Sequence, residues 1–94
     1  MSYNLIDVNR IAVLMLTVEQ CRGARGMLGW SQSDLAKAAN VSRQTVADFE
    51  RGARKPIANN SASIKSAFEE AGIEFIPANG GGPGVRLARS SEEN

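Results

Sequence analysis

Ninety-four residues bound one small domain with a modest core, and at this size self-association commonly supplies part of the stability, so an oligomer is expected. Hydrophobic residues make up 43% of the chain and the formal net charge is +1, which excludes a disordered polyelectrolyte and a uniformly cationic nucleic-acid binder; any affinity for a polyanion has to be local. One cysteine and no histidine remove an internal disulfide, the usual zinc ligand set and the usual general base, so no catalytic residue, metal or cofactor is expected.

Residues 1–16, MSYNLIDVNRIAVLML, carry Leu5, Ile6, Val8, Ile11 and an apolar run over 13–16 in a pattern that fits neither a clean helix nor a clean strand. They form an N-terminal extension, either strand or disordered. The run 11–16 is too short to span a bilayer, and the start lacks the charged region, long apolar core and cleavage site of a leader. A cytoplasmic protein with no membrane partner is the resulting expectation. Met15 is a candidate natural start of translation, since MLTVEQ would be a compact beginning.

Thr17 with Gln20 has the form of a capping box, and Cys21, Ala24, Arg25 and Leu28 share one face of the helix that follows until Gly29 ends it. Ser31 and Asp34 repeat the start signal. A second short helix runs to about Ala39, burying Leu35, Ala36 and Ala39, and Asn40 can take the left-handed conformation that closes it. After Val41, Ser42 caps a third helix with Val46 and Phe49 inward and Gly52 as its stop. Steeply crossing helices need small side chains where they meet, and Ala36 and Ala39 supply them, so the pair reads as a helix-turn-helix.

Pro56 begins a connection through Asn59, Asn60 and Ser61 into a fourth helix, with Ile64, Ala67 and Phe68 inward and Gly72 as the stop. Two β-prone runs, 73–76 and 85–88, flank a Pro, Asn and Gly loop and predict a hairpin over 73–89, followed by a flexible tail at 90–94. Ile73, Phe75, Val85 and Leu87 fall on one face, forming a stripe that can cover the helices. The hairpin's free edge makes it a dimerisation element, with the run 11–16 as a competing third strand. The glycines of NGGGPG lack the Lys-Ser/Thr of a phosphate loop, and Cys21 and Trp30 read as packing residues.

Charge is uneven along the chain: +1 over residues 1–30, +2 over 31–55 and −2 over 56–94. The outer face of the third helix begins with Arg43, Gln44 and Thr45, followed by Asp48. Arg can pair with guanine O6 and N7, Gln with adenine N6 and N7, and Thr can touch a thymine methyl or a phosphate. Asp48 can accept from cytosine N4 or hold Arg43 or Gln44 in place. The helix starts at Ser31, Gln32 and Ser42 offer backbone amides and a positive dipole end to phosphate. Arg51, Arg54 and Lys55 fit contacts with the sugar-phosphate backbone.

The stretch LGWSQSDLAKAANVSRQTVADFERGARKP, within residues of about 17–72, resembles the Xre-type, phage-repressor-like (Cro and lambda-repressor-like) helix-turn-helix family. Asn40 stands where that family more often has Gly. The resemblance implies a mainly α fold, a four-helix lambda-repressor-like domain over 17–72 with the hairpin appended. It also implies Gln32 as a phosphate contact, Arg43, Gln44 and Thr45 as groove-facing readers, and an ion pair between Arg25 and Glu50 that positions the third helix. A dimeric transcription regulator on a double-stranded DNA operator is the expected function. The competing expectation is a protein-interaction module, an antitoxin, antiactivator or adaptor, gripping a protein partner through the hairpin and the N-terminal extension.

Overall fold

A computed structural model describes residues 16–52 and 58–88. Four helices, α1 (Val18–Leu28), α2 (Gln32–Ala39), α3 (Arg43–Arg51) and α4 (Ala58–Glu70), precede an antiparallel hairpin of β1 (Ile73–Ile76) and β2 (Gly84–Leu87). The protein is thus mainly helical.

Local polar signals set the helix starts. Thr17 Oγ1 accepts from the Gln20 amide and Gln20 Oε1 accepts from the Thr17 amide, both at 2.9 Å, closing the reciprocal box at the head of α1. Ser31 and Asp34 close a second such box, also at 2.9 Å in both directions. Between α2 and α3 the chain turns through Asn40, whose φ of 59° makes it the one non-glycine in the left-handed region among the described residues. That conformation aims the Val41 amide back at the Ala36 carbonyl, 3.0 Å away, and satisfies a carbonyl that the helix end would otherwise leave open. Ala36 and Ala39 are both buried at the crossing.

The core joins Leu16, Cys21, Ala24, Leu35, Val46, Phe49, Ile64, Phe68 and Ile73 from all the elements except β2. Phe68 is fully buried; its ring stacks on Trp30 at 5.8 Å between centroids and meets Phe75 at 6.1 Å, tilted by 60°. These three aromatics tie the α1–α2 junction to α4 and the hairpin. Trp30 therefore packs, as its place before α2 suggested.

The fourth helix begins earlier than its polar residues indicated. Asn59, Asn60 and Ser61 lie inside α4 instead of in the connection, and Ser61 is 1% exposed. Ser61, Ile64 and Phe68 are spaced as one helical stripe, so Ser61 takes a core-facing position where a small side chain fits. Pro56 lies outside the described residues.

In the hairpin Ile73 pairs with Leu87, Glu74 with Arg86, Phe75 with Val85 and Ile76 with Gly84. The second strand starts one residue before the expected run, and the Ala88 amide closes the ladder on the Gly72 carbonyl at 2.7 Å. β2 lies along α1 because Gly23 leaves room for it: a Cβ there would come within 3.3 Å of the Val85 side chain. Gln20 Nε2 also donates to the Gly84 carbonyl at 3.0 Å. The apolar stripe is incomplete, since Ile73 is buried but Leu87 opposite it is 54% exposed. On the other face Arg86 donates two hydrogen bonds to the Glu74 carboxylate, at 3.1 and 3.0 Å.

Replacing Asn40 with Ala forces a residue with no local polar compensation into the left-handed region, at a cost of about 1 kcal/mol, or a loss of roughly 4–8 °C in Tm. Asn40→Gly should hold or raise the melting temperature, and circular dichroism melts of the two variants check both outcomes.

Candidate nucleic-acid interface

The orientation of α3 decides which of its side chains meet solvent. Val46, Phe49 and Glu50 are buried, so the residues two positions from Val46 and Phe49 along the helix, Gln44, Asp48 and Arg51, line the opposite side, with Arg43 at the helix start. Arg43 and Gln44 are exposed, and Thr45 and Asp48 half-buried at the edge of the face. No ion pair of the described residues engages Arg43.

Hydrogen bonds stiffen this face without covering it. Gln44 Nε2 donates to Asp48 Oδ1 at 2.9 Å, and the Arg51 guanidinium pairs with the same oxygen. Of the two holding partners considered for Asp48, it takes Gln44 and leaves Arg43 alone. Ser42 Oγ accepts from the Thr45 amide at 3.0 Å and lies 2.8 Å from Thr45 Oγ1. A hydroxyl that accepts one bond still has capacity to donate, which suits a phosphate oxygen.

The two helix starts on this side differ electrostatically. The first turn of α3 contains no acidic residue and opens with Arg43, so the positive end of its dipole is uncompensated. At the start of α2 the Asp34 carboxylate already occupies the Ser31 amide, and the Ser31 hydroxyl accepts from the Asp34 amide. The stronger anion-attracting end therefore belongs to α3. Arg51 is 64% exposed on its side chain, on the same face as Gln44 and Asp48, whereas Arg54 and Lys55 lie outside the described residues.

Behind this face sits the Glu50 carboxylate, 3% exposed, with donors from two other helices. Arg25 Nε donates to Oε2 and Arg25 Nη2 to Oε1, both at 2.7 Å, while Arg25 Nη1 reaches the Trp30 carbonyl at 3.0 Å. Gln32 Nε2 donates to Oε1 at 3.1 Å. One of the two amide protons of Gln32 is thereby committed inside the protein, and no described residue engages the other. Two participants went unrecognised in the sequence: Cys21 Sγ donates to Oε2 at 3.1 Å, and Arg22 Nη2 donates to the Glu50 backbone carbonyl. Their signal was spacing, because Cys21 lies one helical turn before Arg25 on α1 and so shares its inner face.

Burial pushes the Glu50 carboxyl up, but the hydrogen bonds from Arg25, Gln32 and Cys21 and the Arg25 charge outweigh it and bring it down to about 2. Burial first, then the hydrogen bond to Glu50 and its negative charge, push the Cys21 thiol well above the usual range. The thiol therefore stays protonated and serves as a donor. A fully buried, protonated thiol is a poor nucleophile, in keeping with Cys21 as a packing residue.

Among the described residues no helix is long and apolar enough to cross a membrane. Residues 22–59 match a family described as helix-turn-helix. The chain matches no curated protein.

Because the Glu50 carboxyl titrates lower when folded than unfolded, its contribution is complete above the ordinary carboxyl value of 4.5 and disappears as the pH falls through about 2. Arg25→Met strands the buried charge and should cost about 3–5 kcal/mol near neutrality. The deficit should shrink on acidification, as Glu50 takes up a proton in the variant first; melts of both proteins across that pH range measure it.

Proposed function

We propose, from the premise that the chain carries a helix-turn-helix domain of the Xre, lambda-repressor-like type over residues 22–59, that it is a sequence-specific transcription regulator which binds duplex DNA as a dimer. The carrying observation is the orientation of α3: its buried side is held through Glu50, while Arg43, Gln44 and Thr45 stand on the solvent side of a helix start free of acid. In this reading α3 lies in the major groove, Arg43, Gln44 and Thr45 meet base edges, and Asp48 sets the pose of Gln44. Ser31, Gln32, Ser42, Arg51, Arg54 and Lys55 meet phosphates and fix the register. The domain spans 17–72, the regulator works in the cytoplasm or on the nucleoid, and no catalysis is involved.

Local positive charge is small, so one copy makes few phosphate contacts and two copies are required for operator affinity at physiological salt. Half-sites about one duplex turn apart, roughly 10 bp, suit a two-fold axis between the recognition helices. The hairpin is the dimerisation element in this proposal. A two-stranded sheet leaves open edges, and Leu87 on β2, 54% exposed, supports a contact there. The same exposure would serve a protein partner, as in an antitoxin, antiactivator or adaptor, but the acid-free start of α3 favours DNA.

Selection of bound duplexes from a random pool should return a symmetric or near-symmetric motif, and failure to enrich any sequence would sink the DNA reading. On the selected duplex, Arg43→Ala should cost about 1–3 kcal/mol and relax preference at one position. Arg54→Ala should weaken all sequences alike and flatten the salt dependence. Sedimentation of the free protein and of a Leu87→Glu variant tests the dimer, which should be weakened in the variant.

A further inference from the structure

We propose that Cys21 is a positioning residue of the recognition helix: its thiol completes the set of donors around the Glu50 carboxylate and thereby fixes the angle at which α3 presents Arg43, Gln44 and Thr45. The inference rests on the DNA-binding reading for its functional consequence, and on geometry for the contact itself.

A carboxylate offers about four acceptor positions, two on each oxygen. Around Glu50 all are used. Oε1 receives Arg25 Nη2 and Gln32 Nε2, and Oε2 receives Arg25 Nε and the Cys21 thiol. Glu50 is the one charged residue in the buried class among the described residues, so water has little access to replace a missing donor. Removing the thiol proton leaves Oε2 with Arg25 alone, pulling from one direction.

The directions matter as much as the number. Arg25 and Cys21 approach from successive turns of α1, and Gln32 approaches from the first residue of α2. Arg22, next to Cys21, holds the Glu50 backbone carbonyl at the same end of α3. Three helices are thus pinned at one carboxylate. Arg43 lies about 10 Å up the helix axis from Glu50, so a small rotation at the pinned end moves the reading side chains by a distance that hydrogen bonds to base edges register.

The thiol is suited to this role because it stays protonated. Groups facing Glu50 are Cys21, Arg22 and Arg25 from α1 and the neutral Gln32 from α2, with Asp48 and Arg51 as charged neighbours on α3 itself. The one other carboxylate in this set, Asp48, is engaged with Gln44 and Arg51 and makes no bond to the Cys21 thiol.

The chain has one cysteine, so the infrared S–H stretching band of the wild-type protein reports Cys21 alone. It should be shifted down and broadened as for a thiol donating to a carboxylate; a band at the position of an unbonded thiol overturns the proposal without any variant. Cys21→Ser keeps a donor and should hold operator affinity within about twofold, whereas Cys21→Ala should lose roughly five- to tenfold, the equivalent of one ordinary net hydrogen bond. In the alanine variant the acid limb of the melting profile should also move to higher pH, and in the serine variant it should not. Equal loss in both variants, or no loss in either, assigns Cys21 to packing alone and overturns the proposal. If wild type enriches no duplex at all, the DNA reading fails, and the infrared band and the acid limb still decide whether the thiol donates to Glu50. Should Cys21→Ala not fold, the wild-type band and the serine variant decide it.

Discussion

A buried carboxylate must be met by donors or its burial unfolds the site around it, and Glu50 is where this protein satisfies that demand. Arg25 supplies the charge, Gln32 and Cys21 the remaining donors, and Arg22 holds the backbone carbonyl of the same residue. Two apolar anchors on a short helix constrain its roll only weakly, because the hydrophobic effect is non-directional. Hydrogen bonds are directional. The nine-residue α3 buries only Val46 and Phe49 as apolar anchors, so its placement relies on the carboxylate more than a longer helix would.

The outer side of α3 follows from the inner one. With Val46, Phe49 and Glu50 turned in, helical spacing puts Gln44 and Asp48 out, and Ser42 at the cap leaves Arg43 as the first helical residue. Asp48 then serves the face in a way that charge alone does not suggest. It draws in Gln44 from one turn before and Arg51 from the next, which lowers the number of poses these exposed side chains sample and, on the proposed function, the entropy lost on binding. The absence of an acid from the first turn keeps the dipole available, in contrast to the start of α2, where Asp34 has already used it.

The hairpin is held by a different mechanism. A two-stranded ladder of four paired positions is weak alone, and here it leans on the helices through Phe75 against Phe68, Ile73 in the core, Val85 over Gly23 and the Gln20 carboxamide on Gly84. Gln20 does two jobs, closing the capping box of α1 through its oxygen and binding the hairpin through its nitrogen. Leu87 marks where this docking stops. It shares the face of Val85 but lies beyond the helical cover, leaving apolar surface beside an open edge.

Most of the helical frame was legible in the residues themselves, because caps, left-handed stops and one-turn apolar spacing act over three or four positions. Thr17 with Gln20, Ser31 with Asp34, Asn40, Ser42 and Gly52 each state their role locally, and the outward Arg43 and Gln44, with Thr45 at the edge, follow from the inward Val46 and Phe49. The start of α4 was not legible: Asn59, Asn60 and Ser61 have the composition of a loop, and Ser61 becomes an interior residue only when the face of α4 that it shares with Ile64 and Phe68 packs into the assembled core. Cys21 shares the inner face of α1 with Arg25 by spacing, but the bonds that Cys21 and Arg22 make to Glu50 exist only once α1 is laid against the end of α3. Sequence alone determined the order of the helices and the face each shows to solvent, since these depend on neighbours in the chain. Tertiary structure alone decided which donors share the Glu50 carboxylate and how far the hairpin is covered, since those depend on groups brought together from distant parts of the chain.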